Sequence, residues 1–317
     1  MNKRKKILML YCGAINNYSE KDAKGWISEL SEISIISDTE VEIFYTRNTS
    51  DITPKEWIGL AMVIKESYEL FDGFVILHGL DNILYTASAL SFLIQNSPKP
   101  IVFTGGHLSH KANKKPYFGS AKEVGIKANI INAVQVATLD IPEVSLMFGN
   151  RLLRANQARR INDSSLNIFD APEGAVLGKI DFSIRMNEKN ILRSKGKILF
   201  HKALENSVCW FHAGLSFDFS GLEGYLSSFR AIIFDFSFFE TPPRNIEILI
   251  EKLINNAIVA VRMKPHADFS QCKENVINIS NVTPEAGLVK LMWVLTQGKN
   301  NREIKKLMDK NIAGENL

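Results

Sequence analysis

Residues 78–81 read HGLD, and two side chains able to do chemistry, His78 and Asp81, flank a leucine where the apolar run FVIL stops and a helical pattern begins. Asp81 offers a carboxylate that can hold an ammonium group or cap the helix beginning near Asn82, and both readings stand at this point. His78 would serve a metal only with partners that the neighbouring sequence does not supply. Leu80, between them, carries only hydrocarbon at a strand end where ligand-facing polar groups are usual. Cys12 closes the run KILMLYC and is a candidate nucleophile; the competing reading is a buried, inert packing residue. His107 and His110 in HLSH lack a third ligand and read as part of a solvated loop, so no metal is expected. The three cysteines, Cys12, Cys209 and Cys272, form no CxxC pair, which points to a reducing compartment without structural disulfides or zinc.

The elements that must position these residues follow a simple rhythm. KILMLYC, EVEIFYT, GFVILHG, PIVFTGG and VSLMFGN alternate with helix-period segments, predicting a parallel sheet flanked by helices. Thr53, Pro54 and Glu56 supply a cap, a first helical residue and a capping-box partner for the helix TPKEWIGLAMVIKESYELF. LYTASALSFLIQN then leaves the sheet as a helix, placing HGLD at the carboxyl edge, where open α/β sheets bind ligands. Past Gly178 the pattern weakens into strand fragments and a linker. It returns in SVCWFHAG, RAIIFDFS and AIVAVRMK. Thr283, Pro284 and Glu285 start a helix whose Leu288, Leu291, Met292 and Leu295 read as core, and NREIKKLMDKN follows as an amphipathic last helix. The expected organisation is an N-terminal α/β domain over 1–177, a linker over 178–207 and a smaller C-terminal α/β domain over 208–317.

Composition narrows the partners. The chain has 317 residues, 45% of them hydrophobic, and 38 basic against 34 acidic residues leave a net charge of +4. That is ample for buried cores and too mild to argue for nucleic acid. The basic stretch HKANKKP reads as a solvated loop. MNKRKK followed by ILMLYCGAI imitates a secretory signal, yet NNYSEKDAKG offers no small-x-small cleavage site and Tyr11 is too large for a lipoprotein signal. With no membrane-length segment, a cytoplasmic location is expected.

Several separated segments carry a resemblance to one family. DGFVILHG followed by Asp81 and YTASALSF, then SDITPKEW, NRLLR, and TPEAGLVKL with a downstream GE, occur in an order that resembles the bacterial cytoplasmic (type I) L-asparaginases nearly end to end. The resemblance implies a two-domain α/β fold, a homodimer or homotetramer, no cofactor, and hydrolysis of asparagine to aspartate and ammonia. It also implies two threonine hydroxyls, in T-G-G-T-I and H-G-T-D-T motifs, the second backed by a lysine.

The chain departs from that pattern at its reactive positions. The first threonine falls on Ile15, the second on Leu80, the lysine on Arg160, and the tyrosine assisting the first falls near Trp26. Isoleucine and leucine have no attacking atom, and arginine stays protonated. The anchoring positions are kept: Asp81 matches the aspartate that holds a substrate ammonium, and Thr49 matches the serine that holds its carboxylate. The expectation is an asparaginase-like protein that has lost amide hydrolysis and binds a small amino acid such as asparagine or aspartate, in a binding or regulatory role. The alternatives are a divergent amidohydrolase using a nucleophile outside the motifs, such as Cys12, and a purely structural subunit. In the second domain, Phe238 and Phe239 of SFFETPP are expected to plug a crevice or pack an interface.

Overall fold

Strands whose sequence has no polar face need cover on both sides. In this protein β1 (Lys6–Cys12) is buried from Ile7 onward, β3 (Gly73–His78) is buried throughout, and both lie inside the main sheet. β2 (Asp38–Tyr45) alternates exposed and half-buried side chains over most of its length and forms the sheet edge beside β1. The structure, a computed structural model, describes residues 4–13, 19–106, 121–161, 167–181, 183–194, 196–212, 221–239, 244–264 and 276–317. Contacts divide the chain into two units, Met1–Lys202 and Ala203–Leu317.

The first unit continues with β4 (Ile94–Gln95), β5 (Ile101–Thr104), β6 (Val144–Phe148), β7 (Arg151–Arg154), β8 (Arg159–Arg160), β9 (Phe169–Asp170), β10 (Val176–Ile180), β11 (Ile184–Met186) and β12 (Leu199–Phe200). The main sheet runs β11-β10-β7-β6-β5-β3-β1-β2. It is parallel from β2 to β6, and antiparallel from β6 through β7 and β10 to β11. Helices α1 (Glu20–Ser28), α2 (Ser31–Ile36), α3 (Pro54–Ser67), α4 (Ile83–Leu93) and α5 (Ala121–Ala137) accompany it. The expected α3 start is present: the Thr53 N–H and hydroxyl both donate to the Glu56 carboxylate, with Pro54 as the first helical residue. Trp57, Leu60, Ala61 and Ile64 then fall on its buried stripe. Trp26 belongs to α1 and packs with Tyr11, Leu77 and Ile130 in a buried cluster, so it is a core residue.

The stretch expected to be strand fragments and linker, 178–207, is drawn into the first unit as far as Lys202. The physical reason is a buried ion pair. Arg154 Nε and Glu143 Oε2 lie 2.6 Å apart, with side chains 6% and 7% exposed. Arg154 also donates to the carbonyls of Gly174 and Asn190, and Glu143 accepts from the Leu192 N–H. These bonds fasten the chain beyond β10 back onto β6 and β7. Further on, β12 pairs with β4.

The second unit is a parallel sheet of β13 (Val208–His212), β14 (Ala231–Asp235), β15 (Ile258–Arg262) and β16 (Ile277–Asn278), in that order. It carries α6 (Leu222–Leu226), α7 (Arg244–Leu253), α8 (Pro284–Gln297) and α9 (Asn301–Asp309). In α8, Leu291, Met292 and Leu295 are buried while Leu288 is half-buried. Phe239 packs against the core of this unit, whereas Phe238 is 70% exposed and meets His212 edge-on. Among the described residues no helix is long and apolar enough to cross a membrane.

Candidate functional site

Parallel pairing gathers the loops after successive strands at the carboxyl edge, where such sheets bind ligands. Cys12 is in register with Tyr45 on β2 and with His78 on β3, so the residues following all three strands meet. Two glycines allow the approach. Gly13 has φ +65°, and a Cβ there would stand 2.4 Å from the Arg47 carbonyl oxygen. A Cβ on Gly79 would stand 2.4 Å from Thr49 Oγ1 and 3.1 Å from the Gly13 carbonyl oxygen. Gly79→Ala is therefore expected to lower stability by about 1–3 kcal/mol in urea unfolding, as overpacking does. Thr49→Ala should recover part of that loss in a double-mutant cycle, because it removes the nearest clashing atoms.

Thr49 sits in a short 3-10 turn, Thr49–Asp51, that Asn48 starts by accepting from the Ser50 N–H. It is 1% exposed, and its hydroxyl has no hydrogen-bond partner among the described residues. Asp81 is exposed and makes no hydrogen bond or ion pair among the described residues. It does not cap α4: Asn82 holds the N-cap position, and no side chain makes the capping bond. The Asn82 amide nitrogen donates to the Ile52 carbonyl at 3.5 Å, and its Oδ1 has no partner among the described residues. Trp57 Nε1 donates to Thr86 Oγ1 at 3.1 Å, tying α3 to α4 behind the loop.

Leu80 is 6% exposed, and its Cδ2 lies 3.3 Å from where a Cβ on Gly105 would stand. His78 is fully buried, and its Nδ1–H donates to the Gly79 carbonyl at 2.6 Å, so Nε2 is an unmatched acceptor. Burial pulls its pKa down from 6.5 to about 4, against the opposing pull of that hydrogen bond. Cys12 is 1% exposed, and burial drives its thiol far above the ordinary range, the opposite of what a nucleophilic thiolate needs. Arg160 is exposed on β8, opposite Phe169 of β9. It follows the 3-10 turn Ala155–Gln157, which packs against α4.

Ile15, His107 and His110 lie outside the described residues. Thr49 packs on Gly79, Asp81 follows Leu80 in the same loop, and Cys12 and His78 are buried in register at the ends of β1 and β3. A hydroxyl attacks a carbonyl only with a base within hydrogen-bond reach. Thr49 has none among the described residues. The unmatched atoms of His78 and Asn82 have no signal in the sequence, since what defines them is the absence of a partner. Among the described residues no group of three or more His, Cys, Asp and Glu side chains could hold a metal ion.

Comparison with known proteins gives a consistent result. The family model described as "Asparaginase, N-terminal" matches residues 12–192. An L-asparaginase of Dirofilaria immitis is 30% identical over 295 residues, covering 84% of this chain and 47% of that protein, so the chain spans about half of that relative's length. L-asparaginase 1 of Escherichia coli K12 is 29% identical over 292 residues, with 84% and 81% covered. The thermostable L-asparaginase from Thermococcus kodakarensis shares the fold, with a TM-score of 0.82 at 23% identity over 98% of this chain and 99% of its own.

Proposed function

Because this chain belongs to the asparaginase family, we propose that it is a homologue that has lost amide hydrolysis and keeps the site to bind a small amino acid, in a binding or regulatory role. The observation that carries the reading is Leu80. It stands on the strand-end loop beside Asp81, buried and purely hydrocarbon, at the position where the family resemblance calls for a reactive hydroxyl. Among the described residues the Thr49 hydroxyl, packed on Gly79, and the carboxylate of Asp81, next to Leu80 in the chain, have no partner, and they suit an α-carboxylate and an α-ammonium. Arg160 in place of a lysine, and Ile15 in place of the first threonine, point the same way from the sequence. The same reading takes the protein to be a cytoplasmic homodimer or homotetramer.

Loss of a member of a covalent catalytic group costs on the order of 10⁶ in turnover, and such groups fail as a unit. Purified protein is accordingly expected to release no ammonia above blank from L-asparagine or L-glutamine, with Cys12→Ala indistinguishable from wild type. Brisk release would overturn the proposal, and release that disappears with Cys12→Ala would establish the divergent hydrolase in its place. The burial of Cys12 weighs against that outcome. Binding is read by thermal shift with a panel of α-amino acids. A ligand at 100 times its Kd stabilises by about 2.7 kcal/mol, and Asp81→Asn should abolish the shift.

A further inference from the structure

The geometry points to a binding site for a nucleoside di- or triphosphate at the amino edge of the sheet in the second unit. The inference goes beyond the amino-acid reading above and uses none of its residues. Two adjoining cavities open there, of about 590 Å³ and about 260 Å³, and they share Ile254, Ala257, Ile258 and Asn301. The larger falls in the size range of small-molecule pockets. Ile258 begins β15 and Ile277 begins β16, so the larger cavity lies at the opposite end of these strands from their carboxyl edge. Its floor is hydrocarbon. Ala257 and Ile277 are buried, and Ile254 and Ile258 are half-buried beside them.

The walls are cationic. Arg302 and Lys305 line the larger cavity, Arg230 and Lys299 the smaller, and among the described residues no carboxylate lines either. Arg230 is engaged, since its Nη1 lies 2.7 Å from Glu205 Oε2. Arg302 and Lys299 are exposed and make no ion pair among the described residues. Glu303, the acid of the same helical turn, accepts from the Lys299 N–H at 2.9 Å and lines neither cavity. Cations gathered round one concavity without a counter-charge repel one another and raise the local potential, which a bound anion relieves. Asn255, Asn256 and Asn301 add amides to the same walls, each able to donate and to accept. An inorganic anion would use the cations alone and leave the floor wet. A nucleotide matches all three features: phosphates for the guanidinium and ammonium groups, a flat ring face for the hydrocarbon, and polar ring edges for the amides.

The test is calorimetric titration of the full chain with ATP, adenosine and tripolyphosphate at about 0.15 M salt. ATP is expected to bind at least about 10-fold more tightly than either of the others, because only it engages both floor and walls. Arg302→Ala should weaken ATP binding by about 10-fold or more, the usual worth of a hydrogen bond to a charged group. Arg244→Ala removes another exposed cation, at the end of α7 remote from Ile254, and should leave the affinity unchanged. Tripolyphosphate binding as tightly as ATP would overturn the nucleotide assignment, since charge alone would then account for binding. ATP binding that survives Arg302→Ala combined with Lys299→Ala, or that Arg244→Ala weakens equally, would place the ligand elsewhere and overturn the site. Absence of ATP binding to the wild-type chain would overturn the inference outright. None of these results bears on the amino-acid reading, which is tested with its own ligands.

Discussion

Glu315→Ala is expected to destabilise the second unit by about 3–5 kcal/mol, the usual cost of leaving a buried charge without its partner. Lys290 and Glu315 have side chains 1% and 0% exposed, and Lys290 Nζ lies 2.6 Å from Glu315 Oε1. The ammonium also donates to the carbonyls of Met308 at 2.7 Å and Lys310 at 2.6 Å. The carboxylate accepts from the Ile312 N–H at 3.0 Å and the Ala313 N–H at 2.7 Å. The two side chains thus hold the segment after α9 around the middle of α8. Removing the carboxylate strands a charge that two neutral carbonyls cannot offset. Replacing both partners, as Lys290→Met with Glu315→Leu, should cost much less than Glu315→Ala, because no buried charge is then left alone. Urea unfolding gives the free energies, and amide exchange in α8 and α9 localises the change. A loss below about 1 kcal/mol for Glu315→Ala would mean the pair is dispensable.

The second large effect is a dependence of stability on pH that belongs to His78. Its folded pKa of about 4 lies below the ordinary 6.5 because burial disfavours the charged ring. The unfolded chain therefore takes up the proton first. The contribution of His78 to stability is fully present above pH 6.5 and falls as the pH drops from there towards 4, the loss reaching about 3 kcal/mol once both states are protonated. Other groups titrate over the same range, so the quantity to measure is the difference between wild type and His78→Leu. Unfolding free energies at pH 7, 5.5 and 4.5, set about these two pKa values, should show wild type losing progressively more than the variant. Parallel profiles would refute the assignment.

Both effects depend on burial, which local pattern reveals unevenly. KILMLYC and GFVILHG are legible as internal parallel strands because a continuous hydrocarbon run has no other place to go. The α3 start is legible because Thr53, Pro54 and Glu56 act on one another within a single turn. The antiparallel β7, β10 and β11 were not legible. NRLLR is too short to declare its direction, and its placement depends on Glu143, Asn190 and Leu192 closing around Arg154. A charged pair of that kind looks in sequence like two ordinary surface residues. Trp26 shows what spacing leaves open. Spacing put the family's assisting tyrosine near it, and spacing says nothing of burial, which α1 decides by placing the indole in the core.

The residue types alone fix what three particular side chains can do. Hydrocarbon at Ile15 and Leu80 has no lone pair to attack with, and arginine at 160 keeps its proton in any surroundings. Side-chain bonding is a local property, and folding does not change it. Solvation and partnership are different, because they depend on segments that meet only when β1, β2 and β3 pair. Only that pairing withdrew Cys12 from water, lowered the proton affinity of His78, and brought Thr49 against Gly79 with a hydroxyl left unmatched.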